Sequence, residues 1–304
     1  MKKDNIIRSP MFYTGDKYKL MKEIKHYFPH KINKFIEPFV GGGSVFLNVD
    51  ANSFLENDID SNIMTLHSFL SSFGNVDDLE SKLFKEINNY KLSCSFIKNP
   101  VPQELRDQYK KTYFAKYNKA FFANMKDDYN SGRNKNSVIL YLLLIYGFNR
   151  MLRFNKDGKY NVPVGNVDYN KNVHSALENY INLVNQKNIT WSNSDFISFL
   201  ESIKFEKDDF VYLDPPYLIT ASEYNKLWNQ EDDDKMLSIL DSFTKNNIKF
   251  AMSNVVNYKG KENTKLLEWA RNYRVYPISS NYINYHDNSI KTFREVLITN
   301  YETV

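Results

Sequence analysis

The chain has 304 residues, 42% of them hydrophobic and 25% charged, and its formal net charge is +4. These values are ordinary for a globular protein of one or two domains, and the mild basicity permits a nucleic-acid partner without requiring one. The single cysteine, Cys94, excludes an internal disulfide, and no Cys/His cluster has the spacing of a metal site. Residues 1–8 contain no signal-peptide segment, and the longest nearly apolar run, 138–148, is too short to span a bilayer. We therefore expect a cytoplasmic protein with no membrane partner and no metal.

The first predicted elements are a compact loop at residues 10–17 and a helix at residues 18–28. Leu20, Met21 and Ile24 fall on one face of this helix. Lys17 lies at the junction of loop and helix, where it is able to meet a carboxylate. A solvated lysine is the simpler interpretation of this segment taken alone.

A glycine-rich loop follows the first predicted strand, at residues 35–37. We expect Gly41, Gly42 and Gly43 to open a helix, whose N-terminus would favour a carboxylate or phosphate. A second strand begins at residue 53 and runs into Asp58 and Asp60, either of which is able to bind ribose hydroxyls. Together these features indicate an adenosine-containing ligand, and a plain βα unit is the alternative.

Residues 61–149 are predicted to be mostly helical, and strands resume only near Ile189. One helix is expected from the spacing of Ile63, Leu66, Phe69 and Leu70, and others are expected at residues 79–91, 103–125 and 137–148. A long helical block between strands of one sheet indicates an inserted domain.

A β-hairpin is predicted at residues 153–164, because Asp157-Gly158 stands between two alternating stretches. The ribbon carries Arg153, Asn155, Lys156, Lys159 and Asn161. A two-stranded ribbon fits the major groove of DNA, and Arg and Asn are the usual readers of guanine and adenine edges. A polar surface hairpin without a ligand is the alternative.

The remaining chain alternates strands and helices, which predicts a mainly parallel sheet with helices on both faces. Ser194 is expected to cap the helix after the third strand. The predicted strands are residues 189–192, 210–213 and 248–253 and a closing antiparallel pair, 273–278 with 293–301, and the predicted helices are 172–185, 233–243 and 265–271.

The strand at residues 210–213 ends in Asp214-Pro215-Pro216-Tyr217. Proline cannot donate to a sheet ladder, so the strand stops there, at the edge where open α/β sheets bind ligands. Asp214 and the carbonyl groups near Pro215 are acceptors for an exocyclic amine, and Tyr217 offers a flat face to a planar base. A strand followed by an ordinary Pro-Pro turn is the alternative.

Taken together, the chain resembles the D12 class of DNA adenine-N6 methyltransferases, the family of Dam and of the DpnII-type restriction-modification enzymes. The resemblance covers nearly the whole chain and includes the C-terminal residues 294–301. Its motifs, in the family's order, are residues 13–17, 37–44, 57–60, 161–165, 195–196 and 214–217. It implies a doubly wound, Rossmann-like methyltransferase sheet at 1–60 and 166–304, with an inserted helical target-recognition domain at 61–165.

The resemblance also implies the reaction and the residues that carry it out. S-adenosylmethionine would donate a methyl group to N6 of a flipped adenine in duplex DNA, leaving S-adenosylhomocysteine, with Asp214, Pro215, Pro216 and Tyr217 at the reacting centre. The residues implied to hold the donor are Tyr13, Lys17, Pro38, Phe39, Gly41, Gly42, Gly43, Ser44, Asp58, Ile59, Asp195 and Phe196. Those implied to contact DNA are Asn149, Arg153, Asn155, Lys156, Lys159, Asn161, Pro163 and Asn166.

The sequence departs from the family pattern at two positions. Asp16 stands where a second glycine is usual, and Asn166 stands where GATC-specific members have an arginine, so the recognised sequence stays open. We expect a monomer that acts on double-stranded DNA, with a separate restriction endonuclease as a potential functional partner. The alternatives are an amino-methyltransferase of RNA or protein, against which the ribbon and helical insert argue, and an inactive DNA-binding protein, against which the intact motifs argue.

Overall fold

The computed structural model describes residues 6–13, 15–98, 100–220, 228–278 and 293–303. Thr14, within the first motif, lies outside the described residues. The strands of the described part are β1 (Lys34–Glu37), β2 (Ser53–Asn57), β3 (Ile189–Ser192), β4 (Phe210–Leu213), β5 (Lys249–Tyr258), β6 (Lys261–Glu262), β7 (Arg274–Ile278) and β8 (Arg294–Thr299).

These strands form one sheet in the order β3-β2-β1-β4-β5-β8-β7, and β6 pairs with β5. The first five strands in that order are parallel to one another. Strand β8 runs antiparallel to both β5 and β7. The predictions of a mainly parallel sheet and of a closing antiparallel pair are confirmed, and the fold is an α/β fold with a mainly parallel sheet.

The α-helices of the described part are α1 (Met21–Ile24), α2 (Ser61–Ser71), α3 (Val76–Asn89), α4 (Gln103–Tyr109), α5 (Tyr113–Ser131), α6 (Ser137–Tyr146), α7 (Lys171–Val184), α8 (Phe196–Glu201), α9 (Gln230–Lys245) and α10 (Thr264–Ala270). Helices α2 to α7 all lie between β2 and β3, as the helical block in the sequence predicts. No helix within the described ranges is long and apolar enough to cross a membrane.

Alternate residues of the central strands face two hydrophobic layers. Phe35 and Tyr212 pack into a core shared with α2, α6 and α7, whereas Ile36 and Leu213 pack into a core shared with α8, α9 and α10. The buried α6 belongs to the same core as the sheet, so the block between β2 and β3 is joined to the sheet by continuous apolar packing. The domain boundaries at residues 60 and 165 remain a prediction.

Three local predictions are wrong. The helix expected at residues 18–28 is only α1 followed by a 3₁₀ turn at Lys25–Tyr27. The single helix expected at residues 103–125 is divided into α4 and α5, because Lys110 has a positive φ of 28°, which an α-helix does not accommodate. The cap of α8 is Asp195 rather than Ser194, since Asp195 Oδ1 accepts from the backbone N–H groups of Ile197 and Ser198.

Candidate active site

The candidate active site lies at the edge of the sheet where β1, β2, β3 and β4 all end. Asn57, the last residue of β2, is fully buried and ties three of these ends together. Its Nδ2 donates to the carbonyl oxygens of Pro38 and Ser194, each at 3.0 Å, and its Oδ1 accepts from the Ser194 N–H at 3.0 Å. The sequence interpretation missed this role, although a buried polar residue ending a strand is a recognisable signal.

The glycine loop after β1 is shaped by left-handed backbone and by Tyr13. Gly41 and Gly43 have φ values of +48° and +79°, and a Cβ on Gly42 would lie 2.7 Å from the Tyr13 Cβ. The prediction that the glycines open a helix is wrong, because left-handed residues cannot continue one, and only a 3₁₀ turn follows at Phe46–Asn48. The helix-terminus argument for anion binding therefore does not apply to this loop.

His67, from α2, supports the glycine loop. Its Nε2 lies 2.9 Å from the Gly41 carbonyl oxygen and its Nδ1 lies 2.9 Å from the Tyr180 hydroxyl oxygen. Burial lowers the pKa of His67 to about 4, so the ring is neutral near pH 7. The neutral ring donates from Nε2 and accepts at Nδ1, and it stacks on Trp191 with centroids 4.7 Å apart. No sequence signal distinguishes His67 from any other histidine on a helix.

Asp58 faces the glycine loop, whereas Asp60 caps α2. Asp58 Oδ2 accepts from the Gly41 N–H and Oδ1 accepts from the Asp60 N–H, both at 2.9 Å. Each carboxylate oxygen therefore keeps a further lone pair. Burial raises the pKa of Asp58 to about 6. The neighbouring Ile59 side chain is 68% exposed, and Asp60 Oδ1 accepts from the Asn62 N–H, so the structure separates the roles of the two acids.

An aromatic cluster stands beside this edge. Phe39 and Phe196 have ring centroids 5.4 Å apart, and Trp228 lies 5.6 Å from Phe39 and 5.4 Å from Phe196. The Trp228 indole N–H donates to Asp233 Oδ1 at 2.7 Å, which fixes its ring. Trp228 was not anticipated from the sequence, because it stands far along the chain from both phenylalanines.

The residues after β4 form a buried network of charged and hydroxyl groups with Lys17. Lys17 Nζ lies 2.6 Å from Asp214 Oδ2 and 3.6 Å from Glu295 Oε1. The Tyr217 hydroxyl donates to Asp214 Oδ1 at 2.7 Å and lies 3.3 Å from Glu295 Oε1. Pro215 is buried and Pro216 half-buried beside them. Lys17, Asp214 and Tyr217 thus come together, and Glu295 on β8 is a fourth member that the sequence interpretation did not assign.

Burial and attraction act in opposite directions on this network. Burial alone would lower the pKa of Lys17, but Asp214, Tyr217 and Glu295 together raise it well above its ordinary value. Burial raises the pKa of Glu295, and Lys17 opposes that rise. Glu295 Oε2 is buried and has no hydrogen-bond partner among the residues described here. The lysine is therefore held charged between two carboxyl groups.

The predicted hairpin is present but short. A single antiparallel bridge, Phe154 with Tyr160, joins its sides, and the Asn161 N–H donates to the Arg153 carbonyl at 3.1 Å. Tyr160 is buried, and its backbone N–H and carbonyl are both bonded to the side chain of Asn130 on α5, at 2.8 and 2.9 Å. The hairpin is therefore fastened to the helical block rather than built as an extended ribbon.

The candidate DNA-contacting residues are not equivalent. Asn155 Oδ1 accepts from the N–H groups of Asp157 and Lys159, so this side chain shapes the turn. Asn166 Oδ1 accepts from the Ala115 N–H at 3.2 Å, so it is engaged with the start of α5. Arg153 Nε donates to Asn161 Oδ1 at 2.8 Å across the hairpin. Those exposed to solvent are Asn149, Asn155, Lys156, Lys159, Asn161, Pro163 and Asn166, and Arg153 is half-buried.

Two buried glutamates lie beneath the site. Glu37 and Glu56 are paired positions of β1 and β2 and are 1% and 0% exposed. Burial raises the pKa of both well above the ordinary value, and the charge of Glu56 raises that of Glu37 further, whereas the contact with Glu37 lowers that of Glu56. If both were ionised, Glu37 Oε2 and both Glu56 oxygens would have no donor in the described part of the chain. A proton held between the two carboxyl groups joins two of these three oxygens and removes one of the two buried charges.

Among the described residues, no three His, Cys, Asp or Glu side chains are grouped as metal ligands.

The parallel sheet, the loops at its carboxyl edge and the Asp-Pro-Pro-Tyr segment define a methyltransferase-like α/β protein. Residues 13–284 match the model of the D12 class N6 adenine-specific DNA methyltransferases, and the chain belongs to that family. The resemblance inferred from the motifs is confirmed.

Named relatives agree with this assignment. The chain is 33% identical over 309 residues to type II methyltransferase M.FokI of Planomicrobium okeanokoites, covering 99% of this chain and 44% of the relative. It is 33% identical over 308 residues to modification methylase StsI of Streptococcus sanguinis, covering 98% and 43%. It is 26% identical over 218 residues to the DNA adenine methylase of Salmonella typhi, covering 72% and 68%. The chain thus spans less than half the length of the first two relatives.

A solved structure, the rRNA methyltransferase AviRa of Streptomyces viridochromogenes, is 9% identical with a TM-score of 0.35, covering 99% of this chain and 93% of that one. A likeness of this size does not bear on substrate or mechanism.

Proposed function

We propose that this chain transfers a methyl group from S-adenosylmethionine to N6 of adenine in double-stranded DNA. One observation carries the proposal: Asp214, paired with Lys17 at 2.6 Å, stands at the end of β4, on the same sheet edge as the glycine loop and Asp58. Asp214, as an acceptor for an amine, would thereby lie at the same edge as the glycine loop and Asp58, as the binding site for an adenosine-containing donor. Relatives named as modification methylases and DNA adenine methylases are consistent with this substrate.

The residues present fit the donor. Asp58 has lone pairs left for two ribose hydroxyls, and Ile59 and Phe196 offer apolar surface beside it. Asp16 Oδ2 and Ser44 Oγ are buried near each other, and neither makes a hydrogen bond of ordinary geometry with a described residue, so both offer polar atoms to a ligand at the glycine loop. Lys17 has three donors, of which Asp214 and Glu295 occupy two, leaving one for a carboxylate. The proposed donor set is Tyr13, Lys17, Pro38, Phe39, Gly41, Gly42, Gly43, Ser44, Asp58, Ile59, Asp195 and Phe196.

Asp214 and the Pro215 carbonyl would orient the amine of the adenine. Each accepts one N–H of N6, which turns the nitrogen lone pair out of conjugation with the ring and toward the donor. Bound S-adenosylmethionine would supply an electrophilic methyl group on a sulfonium, with S-adenosylhomocysteine as the leaving group, and the proton that N6 loses on methylation would pass to Asp214 or to solvent. Catalysis then consists mostly of positioning and electrostatics within a partly buried site.

The Tyr217 hydroxyl takes one lone pair of Asp214 Oδ1, at 2.7 Å, so a shift of this hydroxyl would open the oxygen more fully to the adenine amine. Glu295 Oε1, 3.3 Å from the same hydroxyl, is a second acceptor already in place. We infer that Glu295 takes over this hydroxyl and part of the contact with Lys17, which frees an Asp214 oxygen for the amine. The ring of Tyr217 would stack on the extruded base.

Residues 61–165 are proposed to recognise DNA and residues 1–60 and 166–304 to carry the chemistry. Exposed Lys156 and Lys159 suit phosphates, and Arg153 suits a base edge. Because relatives are named as type II and modification methylases, a separate endonuclease that reads the same sequence is the proposed functional partner.

The test is transfer of a tritiated methyl group to duplex DNA and to RNA by the purified chain, followed by sequencing of modified bases in DNA from a methylation-free host. We expect N6-methyladenine at one sequence in the DNA and none with Asp214→Ala. Methyl transfer to RNA alone would favour the amino-methyltransferase of RNA. Donor binding without transfer to either would favour an inactive DNA-binding protein.

A further inference from the structure

Two arginines converge on the ring of Phe12, outside the site described above. The guanidinium carbon of Arg150 lies 3.7 Å from the ring centroid and that of Arg8 lies 4.6 Å from it. The two charges are therefore at most about 8 Å apart, a distance at which like charges repel unless an anion joins them. Neither arginine forms an ion pair with a carboxylate in the part of the chain that the structure describes. Among the described residues the pair thus has no directly paired carboxylate, and Arg8 acts at longer range on the buried Asp16, where its charge opposes the rise in pKa that burial causes.

The backbone that presents these side chains is unusual. Phe12, Asn149 and Arg150 have φ values of 49°, 52° and 50°, in the left-handed region that non-glycine residues rarely adopt. Such conformations persist where the surroundings hold them and are concentrated at functional sites. Burial lowers the pKa of Arg150 to about 10, and Arg8 lowers it as well, yet the group stays charged at neutral pH. The fold therefore maintains two adjacent positive charges at a cost in strain and repulsion.

This pair of arginines lies between the glycine loop at residues 41–43 and the hairpin at residues 153–164. The Ser9 hydroxyl donates to the Gly42 carbonyl, and the Tyr141 hydroxyl on α6 donates to the Pro10 carbonyl at 3.0 Å. Arg8 also lies 5.2 Å from the ring centroid of Tyr18, which follows Lys17. On the other side, the Phe148 N–H donates to the Pro163 carbonyl at 2.8 Å, which joins the Arg150 turn to the end of the hairpin.

We propose that Arg8 and Arg150, held on Phe12, bind a phosphate of the DNA strand that carries the target adenine, next to the extruded nucleotide. The inference rests on the proposed function, because it assigns a subsite to the same DNA. The segments that carry Arg8 and Arg150 are bonded to the glycine loop and to the hairpin, so a strand that delivers a base to Asp214 would bring its sugar and neighbouring phosphates close to them. Guanidinium groups are suited to phosphate oxygens because their donors match that geometry.

The experiment uses duplexes that contain the recognised sequence and one neutral methylphosphonate linkage at a time. We expect wild-type affinity to fall about tenfold at one or two linkages flanking the target adenine. Arg150→Gln and Arg8→Gln should bind unmodified DNA about tenfold more weakly, should be insensitive to those same linkages, and should each lower the slope of log affinity against log salt by about one unit. Arg150→Lys, which keeps the charge, should retain most of that slope.

Arg271→Gln is the matched control. Arg271 is exposed and precedes β7, which runs parallel to β4, so it stands at the sheet edge opposite Asp214. This variant should behave as wild type.

Selective loss of binding to certain base sequences by Arg150→Gln would make the pair a base reader and overturn the proposal. Unchanged linkage sensitivity in Arg8→Gln and Arg150→Gln, in a chain that methylates DNA, would overturn it while leaving the proposed function intact. A wild-type chain that methylates no DNA would refute the proposed function itself.

Discussion

Lys17 Nζ and Asp214 Oδ2 lie 2.6 Å apart although 197 positions of sequence separate the two residues, and the lysine side chain is only 3% exposed. A buried lysine needs a carboxylate partner, so Asp214 has a structural task as well as the proposed catalytic one. Glu295 is a second acid near the same ammonium, at 3.6 Å. Substitutions in this network should therefore affect stability and turnover to different extents.

Asp214→Asn should lower kcat by about 10²–10³-fold, because an amide accepts more weakly than a carboxylate and no longer balances Lys17. Asp214→Ala should abolish transfer and reduce the free energy of unfolding by about 3–5 kcal/mol, because it leaves Lys17 with Glu295 alone. Affinity for S-adenosylhomocysteine, measured by calorimetry, should be retained in Asp214→Asn. Near-normal turnover on duplex DNA by either variant would contradict the catalytic role of Asp214.

The roles of the Tyr217 ring and of the Tyr217 hydroxyl can be tested separately by two substitutions. Tyr217→Phe keeps the ring and removes the group bonded to Asp214 Oδ1, so kcat should stay within about tenfold of wild type. Tyr217→Ala should weaken capture of the flipped base by about 1–3 kcal/mol, the usual loss of a stacking partner. Fluorescence of 2-aminopurine at the target position measures extrusion directly, and equal effects of the two substitutions would refute a stacking role.

Glu295→Gln tests whether Glu295 accepts the hydrogen bond of the Tyr217 hydroxyl when adenine binds. If Glu295 serves as the alternative acceptor for the Tyr217 hydroxyl, this substitution should lower kcat in a chain with Tyr217 and have little further effect in Tyr217→Phe. Additive losses in the double variant would show that the two residues act independently.

Much of the site was predictable from sequence because it depends on strand ends. Strand β4 coincides with its predicted range, since the apolar run lies between Asp209 and Asp214 and the prolines that follow Asp214 end the strand. Contacts between distant segments were not predictable. Glu295 meets Lys17 only because β8 inserts between β5 and β7, and the glycine loop turns instead of opening a helix because the Tyr13 side chain lies against Gly42.

Asp58 should make donor binding depend on pH. Its pKa is raised to about 6, mainly by burial, so below pH 6 the unliganded protein carries a proton that must leave before two ribose hydroxyls can donate to the carboxylate. Affinity for S-adenosylhomocysteine should therefore fall about tenfold between pH 7 and pH 5. Asp58→Ala should cost about 1.5–3 kcal/mol of binding at pH 7.5 and flatten this dependence.

Asp60→Asn is the control for Asp58, because asparagine also caps a helix and the cap of α2 is retained. It should leave donor affinity and its pH dependence close to wild type. If calorimetry instead finds the loss in Asp60→Asn and not in Asp58→Ala, the ribose contact belongs to Asp60.

The Glu37–Glu56 pair should make the fold less stable at high pH. Burial raises the pKa of both groups above their ordinary value of 4.5, so their favourable contribution is fully present below about pH 4.5 and is lost as pH rises through the raised folded values. Glu56→Gln keeps the shape without the charge, and its Tm should exceed that of wild type at pH 8 by several degrees, with a smaller difference at pH 5. Glu104→Gln, at an exposed site on α4, should show no such difference, and a pH-independent shift for Glu56→Gln would contradict the shared proton.

The hairpin gives the last prediction, because its charged residues differ in how they are held. Arg153 is aligned by Asn161 at 2.8 Å, as a base-reading side chain needs to be, whereas Lys156 and Lys159 are exposed. Arg153→Ala should cost about 1–3 kcal/mol and relax specificity at one base pair. Lys156→Ala should weaken binding to all sequences alike and lower the salt slope by about one unit.

The measurement is binding to single-base variants of the recognised sequence at several salt concentrations. If Arg153→Ala weakens every sequence equally, the hairpin is a backbone clamp, and sequence readout lies in the helices between residues 61 and 148 or in the segment after Gly165. Asn166 is a poor candidate reader in that segment, because its side chain is already bonded to the Ala115 N–H and the Lys111 carbonyl. Specificity would then have to come from the helical block, which is the part of the chain where the motifs give the least guidance.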